Sequence, residues 1–417
     1  MTKLVVKGRR RLHGEVAVQG AKNSALPILA AALLTGGENV FFNCPHLSDV
    51  EASCAILRYL GGTAKREDSA LLVDCTGVER WKIPDELMRK TRSSIVFLGA
   101  VLARTGRARL TLPGGCEIGM RPIDLHLRAL RAMGATITER HGYLDCKAPH
   151  GLHGTKIALS FPSVGATEDI MIAACTADGT TTISNAAREP EIGDLAAYLN
   201  KCGAKIYGAG EGVVVIDGVP SLSAAAHTMI PDRIVAATLL SCAAATGSEL
   251  ILRGAVTAHL GAVISVLEEG GCRFAYDGGD LRITAPERLK SLRVIRTMPY
   301  PGFPTDAQAP VMAAAATADG TSVMIENIFE NRYRHVPALC RMGAQIRTEG
   351  KVAVIEGTRH LYGAKVEATD LRGAAALVTA ALAAEGTGEI TGVHYLERGY
   401  DGLEQTLTAL GADVKKI

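Results

Sequence analysis

The sequence predicts an α/β fold: a two-lobed inside-out α/β barrel built from six repeated β/α units, with helices buried inside sheets. Three observations carry that expectation. A helix end followed by glycine and then a strand recurs at Leu60-Gly61-Gly62, Met133-Gly134-Ala135, Cys202-Gly203-Ala204, Gly270-Gly271-Cys272, Met342-Gly343-Ala344 and Leu410-Gly411-Ala412. The glycines are spaced by about 70 residues, the mark of a repeated supersecondary unit. One helix in each unit is apolar nearly all round, and a helix without a polar face is a buried one. The chain is 47% hydrophobic but only 4% aromatic, so its interior is made of Ala, Val, Leu and Ile.

In chain order the apolar helices fall at residues 25–34, 95–103, 170–176, 234–245, 311–318 and 374–384. A second helix is amphipathic, as Ile123, Leu127 and Leu130, then Ile192, Leu195 and Leu199, then Leu403, Leu407 and Leu410 follow helical spacing. Short alternating strands are expected at 4–6, 108–112, 181–184, 249–252, 322–325 and 389–391. Each recurring glycine suits the left-handed position that ends a helix. A single barrel of six units would be very large, so three and three are expected. Residues 22–229 form an N-terminal lobe, and 1–21 with 230–417 form a C-terminal lobe. The Ser/Ala-rich stretch at 220–227 is the expected crossing point.

Composition narrows the partners. The 417 residues carry 45 Lys and Arg against 43 Asp and Glu, which leaves no global basic field for nucleic acid or a membrane surface. Ten cysteines are scattered with no CxxC spacing, arguing against a zinc site or a redox pair and for reduced thiols. The opening MTKLVVKGRRRLHG has charge but no apolar signal region. The apolar run at 234–245 falls short of the roughly 20 residues a membrane span requires. A soluble cytoplasmic protein is expected.

Chemistry concentrates first in Leu112-Pro113-Gly114-Gly115-Cys116-Glu117-Ile118-Gly119-Met120-Arg121-Pro122. A free cysteine is ordinarily a small buried hydrophobe. A glycine-rich loop usually lies at the surface, however, and a partly exposed thiol near a guanidinium can act as acid or nucleophile. Polar residues also open every buried helix: Lys22 and Asn23, Arg92, Ser163-Val164-Gly165, Asp232 and Arg233, Asp306, and Asp370 with Arg372. Capping of backbone N–H groups would account for Asn23, Ser163, Asp306 and Asp370. It does not account for the cations, which oppose the positive end of the helix dipole. Those cations predict a phosphate or carboxylate ligand, in a cationic cleft where the lobes meet. Asp306, held in a segment with Pro299, Pro301 and Pro304, is a candidate general base unless it only caps. Arg398, in His394-Tyr395-Leu396-Glu397-Arg398-Gly399-Tyr400, is either a clamp or a solvated loop residue.

Eight landmarks follow one another along the chain: Gly20-Ala21-Lys22-Asn23, Leu112-Pro113-Gly114-Gly115-Cys116, Gly119-Met120-Arg121-Pro122-Ile123-Asp124, Pro162-Ser163-Val164-Gly165-Ala166-Thr167, Ala187-Arg188-Glu189-Pro190-Glu191-Ile192, Phe303-Pro304-Thr305-Asp306, Phe329-Glu330-Asn331-Arg332 and Ala368-Thr369-Asp370-Leu371-Arg372. Together they resemble the enolpyruvyl transferases over the whole length. The resemblance implies that the N-terminal strand completes the C-terminal lobe. It also implies transfer of the enolpyruvyl group of phosphoenolpyruvate to the 3′-hydroxyl of UDP-N-acetylglucosamine, with release of phosphate, as the first committed step of peptidoglycan synthesis.

By the same resemblance the catalytic residues are Cys116, Asp306, Lys22 and Arg398. Cys116 is the acid that protonates C3 and can form a covalent adduct, and Asp306 is the base on the sugar hydroxyl. Lys22, Arg121 and Arg398 clamp phosphoenolpyruvate, with Asn23, Arg92, Asp370 and Arg372 around them. The nucleotide sugar is expected on Arg121, Pro122, Ile123, Asp124 and Leu125, on Ser163, Val164 and Gly165, and on Asp306 and Ile328. The family uses no metal and no cofactor. Ser48 and Phe161 stand where some members carry lysine, so diphosphate and uracil contacts are expected to differ. Two alternatives are a transferase acting on shikimate 3-phosphate and a silent paralogue that binds a UDP-sugar. The Cys116 loop and the turn at 163–165 favour the nucleotide sugar.

Overall fold

The computed structural model describes residues 2–111 and 123–417. They form two compact units: one from the segment ending at Gln19 together with Pro231–Ile417, the other from residues lying between Gly20 and Ile230. Each has its own contiguous apolar core.

The local rule is the same throughout. Parallel strands cannot be joined by a tight turn, so a crossover helix must link them. In the unit ending at Ile417, Val294–Arg296 leads through the helix Gln308–Ala315 to the parallel strand Thr321–Ile325. Lys365–Glu367 leads in the same way through Leu371–Ala383 to Thr387–Thr391. In the other unit, Lys156–Ala158 leads through Val164–Ala174 to Thr180–Ser184. Each crossover helix is buried along almost its whole body, and in Val164–Ala174 that burial takes in Thr167, Glu168 and Asp169 as well as the apolar residues.

The sheets lie around these helices. In the unit ending at Ile417 there are three four-stranded sheets, and the helices Arg233–Thr246, Gln308–Ala315 and Leu371–Ala383 pack against one another. The unit of 20–230 has two four-stranded sheets, a three-stranded sheet and a short two-stranded pair around Lys22–Ala31, Phe97–Thr105 and Val164–Ala174. None of the described sheets closes on itself. The six recurring glycines all take the left-handed conformation just past their helices, with φ 115° at Gly61, 98° at Gly134, 100° at Gly203, 94° at Gly271, 95° at Gly343 and 91° at Gly411. A side chain there would meet its own backbone, which is why the repeat shows as glycine. No described helix is long and apolar enough to cross a membrane.

Two details differ from the sequence reading. The stretch at 220–227 is not a free linker. Leu222–Ser223 pairs with Thr35–Gly36, and Ala226–Thr228 pairs with Glu38–Phe42, so it is woven into the 20–230 unit. The chain passes between units at 19/20 and 230/231. Those two passages separate Glu15–Ala17 from the helix Arg233–Thr246, while Glu15–Ala17 still pairs in parallel with Glu249–Arg253. The whole 20–230 unit is thus inserted within one crossover of the other. All but one of the apolar helices also begin earlier than their apolar runs, the exception being Phe97–Thr105, which the 3-10 turn Arg92–Val96 precedes. Lys22, Arg233 and Arg372 therefore lie inside the first turn, and Asp306 sits in a 3-10 turn, Thr305–Ala307.

The N-terminal segment finishes the sheets of its unit. Leu4–Lys7 lies between Thr387–Thr391 and Asp413–Lys416, antiparallel to both. This placement matches what the resemblance implied.

Candidate functional site

In the unit of 20–230 the helix Lys22–Ala31 carries its cation at its first position. Ala21 is the cap residue, and its methyl side chain makes no capping hydrogen bond. Lys22 is buried, and its Nζ meets Asp49 Oδ2 in the first turn of Ser48–Leu60. Asn23 is partly exposed inside the helix and does not cap it. Gly20 must be glycine, because a Cβ there would land on the carbonyl oxygen of Asn43.

Ser163 does cap its helix, its Oγ accepting from the N–H of Ala166 at 3.3 Å. Val164 and Gly165 follow in the same partly exposed turn. Gly165 leaves room for His126, whose ring would lie 3.4 Å from a Cβ at that position. His126 Nδ1 is 3.1 Å from Asp169 Oδ2, and Asp169 Oδ1 accepts the Gly99 N–H at 2.7 Å. Burial raises the carboxyl of Asp169, opposed by the hydrogen bond and charge of His126. Burial, reinforced by Glu191, Glu189 and Asp169, pushes Glu168 well above the carboxylate range. Ile123 and Leu125 are partly buried on either side of an exposed Asp124.

In the other unit Asp306 is gripped by two arginines. Arg332 Nη2 lies 2.5 Å from Oδ1, and Arg372 Nη2 lies 3.1 Å from Oδ2. Both guanidiniums are buried. Arg372 also donates to Tyr400 Oη at 3.2 Å, and Tyr400 meets Thr238 Oγ1 at 2.9 Å. Burial works against the charge of Arg372, but Asp306, Tyr400 and Asp232 outweigh it and hold the guanidinium charged. Asp370 caps the helix Leu371–Ala383, accepting from the N–H groups of Arg372 and Gly373 at 3.0 Å each. Burial drives His335 down to about 4, with Asp370 opposing and Arg332 assisting.

Ile328 is held through its N–H, which donates to Glu326 Oε1 at 2.8 Å. Arg398, partly exposed, ends the 3-10 turn Val393–Arg398. The next residues are fixed by Gln19, whose Nε2 donates to the Gly399 carbonyl and whose Oε1 accepts from the Asp401 N–H. Arg233 stacks 5.6 Å from the ring centre of Tyr300, while Asp232 caps Ile234 and Val235.

Cys116, Arg121 and Pro122 lie outside the described residues, as does the side chain of Arg92. Capping explains Ser163, Asp232 and Asp370, but not Asn23 or Asp306. For two of the cations the expected anion is internal: Asp49 for Lys22 and Asp306 for Arg372. The sequence reading missed Arg332, Asp49 and Glu326. Arg332 stood in a quoted landmark without a role, while Asp49 and Glu326 are recognisable only from the partners that folding brings to them.

Residues 6–407 match the family of EPSP synthase (3-phosphoshikimate 1-carboxyvinyltransferase). The chain is 48% identical over 417 residues, the whole of both chains, to UDP-N-acetylglucosamine 1-carboxyvinyltransferase 2 of Caldanaerobacter subterraneus subsp. tengcongensis. It is 50% identical over 418 residues to UDP-N-acetylglucosamine 1-carboxyvinyltransferase 1 of Symbiobacterium thermophilum, covering 99% of this chain and 95% of the relative. Among solved structures, the enolpyruvyl transferase NikO from Streptomyces tendae superposes with TM-score 0.90 at 27% identity, over 100% of this chain and 98% of that one. EPSP synthase from Acinetobacter baumannii, at TM-score 0.75 and 19% identity over 100% and 99% of the two chains, shares the fold.

Proposed function

Because the chain belongs to the EPSP synthase family of enolpyruvyl transferases, we propose that it transfers the enolpyruvyl group of phosphoenolpyruvate to the 3′-hydroxyl of UDP-N-acetylglucosamine, releasing phosphate. The observation that carries the choice of acceptor is near-half identity, along the full chain, with transferases of that nucleotide sugar. The reaction is an addition followed by an elimination. A proton added to C3 of phosphoenolpyruvate makes C2 electrophilic, and the sugar oxygen bonds to C2 as its own proton leaves. The tetrahedral ketal then loses a proton from C3, and the C2–O bond to phosphate breaks.

Each step asks for a group present in this sequence. Cys116 supplies the proton to C3 and can add to C2 as a covalent adduct, while Asp306 receives the proton of the sugar hydroxyl. Lys22, Arg121 and Arg398 hold the phosphate and carboxylate of phosphoenolpyruvate, with Asn23, Arg92, Asp370 and Arg372 beside them. The nucleotide sugar rests on residues 121–125 and 163–165, and on Asp306 and Ile328. Two guanidiniums already share the Asp306 carboxylate. A phosphate dianion beside Arg372 competes with Asp306 for that guanidinium, while Arg332 keeps its hold on the carboxylate. Arrival of phosphoenolpyruvate thereby loosens the base at the moment it is needed. Preorganised cations aimed at developing charge commonly contribute a hundredfold or more, on the order of 3 kcal/mol each.

In the cell this chemistry opens peptidoglycan synthesis in the cytoplasm, and so serves cell-wall growth, cell shape and division. The epoxide fosfomycin is expected to alkylate Cys116. The deciding experiment measures phosphate release from phosphoenolpyruvate with UDP-N-acetylglucosamine or shikimate 3-phosphate as acceptor. Turnover with the nucleotide sugar alone is expected. Release only with shikimate 3-phosphate reassigns the acceptor, and release with neither leaves a binding protein.

A further inference from the structure

Glu326 follows the strand Thr321–Ile325 and is 1% exposed, a buried carboxylate with no part in the reaction described above. Burying such a group is costly unless hydrogen bonds replace its water. Here four donors do so. Oε1 accepts from Thr297 Oγ1 at 2.9 Å, from the Ile328 N–H at 2.8 Å and from the Phe329 N–H at 3.2 Å. Oε2 accepts from Thr305 Oγ1 at 3.0 Å.

Two of those bonds close a local loop, as any carboxylate beside a turn can do. The bond to Thr305 is different, because Thr305 immediately precedes Asp306 in the 3-10 turn Thr305–Ala307. The carbonyl of Thr305 is also held, accepting from Arg332 Nε at 3.4 Å and Nη2 at 3.3 Å, and the same guanidinium grips Asp306. Thr305 is therefore fixed at its side chain by Glu326 and at its backbone by Arg332. The direction in which Asp306 leaves the turn follows from those two anchors.

We infer that Glu326 is a positioning residue that sets Asp306 and the backbone of Ile328 in one frame, so that proton acceptor and sugar-nucleotide contact keep a fixed spacing. The inference rests on the reaction proposed above. Its role is passive: Glu326 acts through the hydrogen bonds it accepts, and no covalent bond to it forms or breaks in the reaction.

The test compares initial rates of phosphate release by the full chain and by Glu326→Gln, Thr305→Val and the double variant. KM is measured for each substrate, and thermal midpoints are recorded. An amide turns an NH2 group toward at least one donor, while valine deletes the link to Asp306 and keeps the shape. We expect kcat to fall about tenfold or more in both single variants, because small misplacement of a reacting group is costly. KM for UDP-N-acetylglucosamine should rise in Glu326→Gln, and KM for phosphoenolpyruvate should stay within about twofold. The double variant should be no slower than Glu326→Gln, since both act through one link. Wild-type kcat in Thr305→Val, additive losses, or equal rises in both KM values overturn the inference. Should Glu326→Gln fail to fold, Thr305→Val decides alone. An unmutated chain that releases no phosphate sinks the underlying reaction instead, and is distinguished by that control.

Discussion

The ammonium of Lys22 lies 2.6 Å from a carboxylate oxygen of Asp49, and both side chains are buried. A cation at the positive end of a helix dipole is thus neutralised by a carboxylate from a neighbouring helix before any ligand arrives. In the proposed reaction a bound phosphate shares or displaces that partner.

Asp49→Asn leaves Lys22 as a buried charge without its carboxylate, a change that costs about 3–5 kcal/mol in comparable pairs. The thermal midpoint of the free protein should drop. Phosphoenolpyruvate should then raise that midpoint more in the variant than in the parent, since the ligand supplies the missing charge. Equal ligand-induced shifts would show that Asp49 and the ligand do not share Lys22.

Arg332 offers a second check, at the residue the sequence reading passed over. Its planar fork reaches Asp306 and the Thr305 carbonyl together, a geometry lysine cannot reproduce. Arg332→Gln should lower kcat on the order of a hundredfold, with Arg332→Lys recovering only part of it. Full recovery by lysine would mean that charge alone matters there.

A thiol-directed reagent offers a test that tells Cys116 from the described cysteines. Burial pushes Cys44 up to about 11, and Cys54, Cys75 and Cys272 up to about 12. Among the described cysteines Cys340 is exposed. In Cys340→Ser, fosfomycin should therefore add one mass increment, mapping to Cys116, because only an accessible thiolate attacks. Cys116→Asp should keep some turnover and resist the epoxide, whereas Cys116→Ala should lose turnover. Modification at a buried cysteine, or equal activity of the Asp and Ala variants, would contradict the acid role.

Stability should weaken in mild acid through His335. Burial lowers its pKa from 6.5 to about 4 in the fold. Between those values the unfolded chain binds the proton and the fold does not, so stability falls as pH drops from 6.5 towards 4. Urea midpoints at pH 7 and pH 5 should differ more in the parent than in His335→Gln. An identical pH dependence in both would place the acid sensitivity elsewhere.

The repeat was legible because its signal is local: glycines past helix ends and helices without polar faces need no tertiary information. Boundaries were less so, since Lys22 and Arg372 sit within first turns whose polarity hides them from an apolar pattern. The stretch at 220–227 looked like a linker because short edge strands of small residues carry little pattern. Asp49 and Glu326 were illegible for another reason. Their meaning comes from Lys22, Thr297 and Thr305, partners that only folding brings close.

The insertion of one unit within a single crossover of the other has a consequence for synthesis. As the nascent chain leaves the ribosome, residues 20–230 hold everything their own sheets require and can collapse at once. The opening strand Leu4–Lys7 must instead wait, unpaired, until Thr387–Thr391 and Asp413–Lys416 emerge to flank it. A chaperone bound to that waiting ribbon, or a tag that stiffens it, would govern the yield of finished protein without touching a single reacting atom.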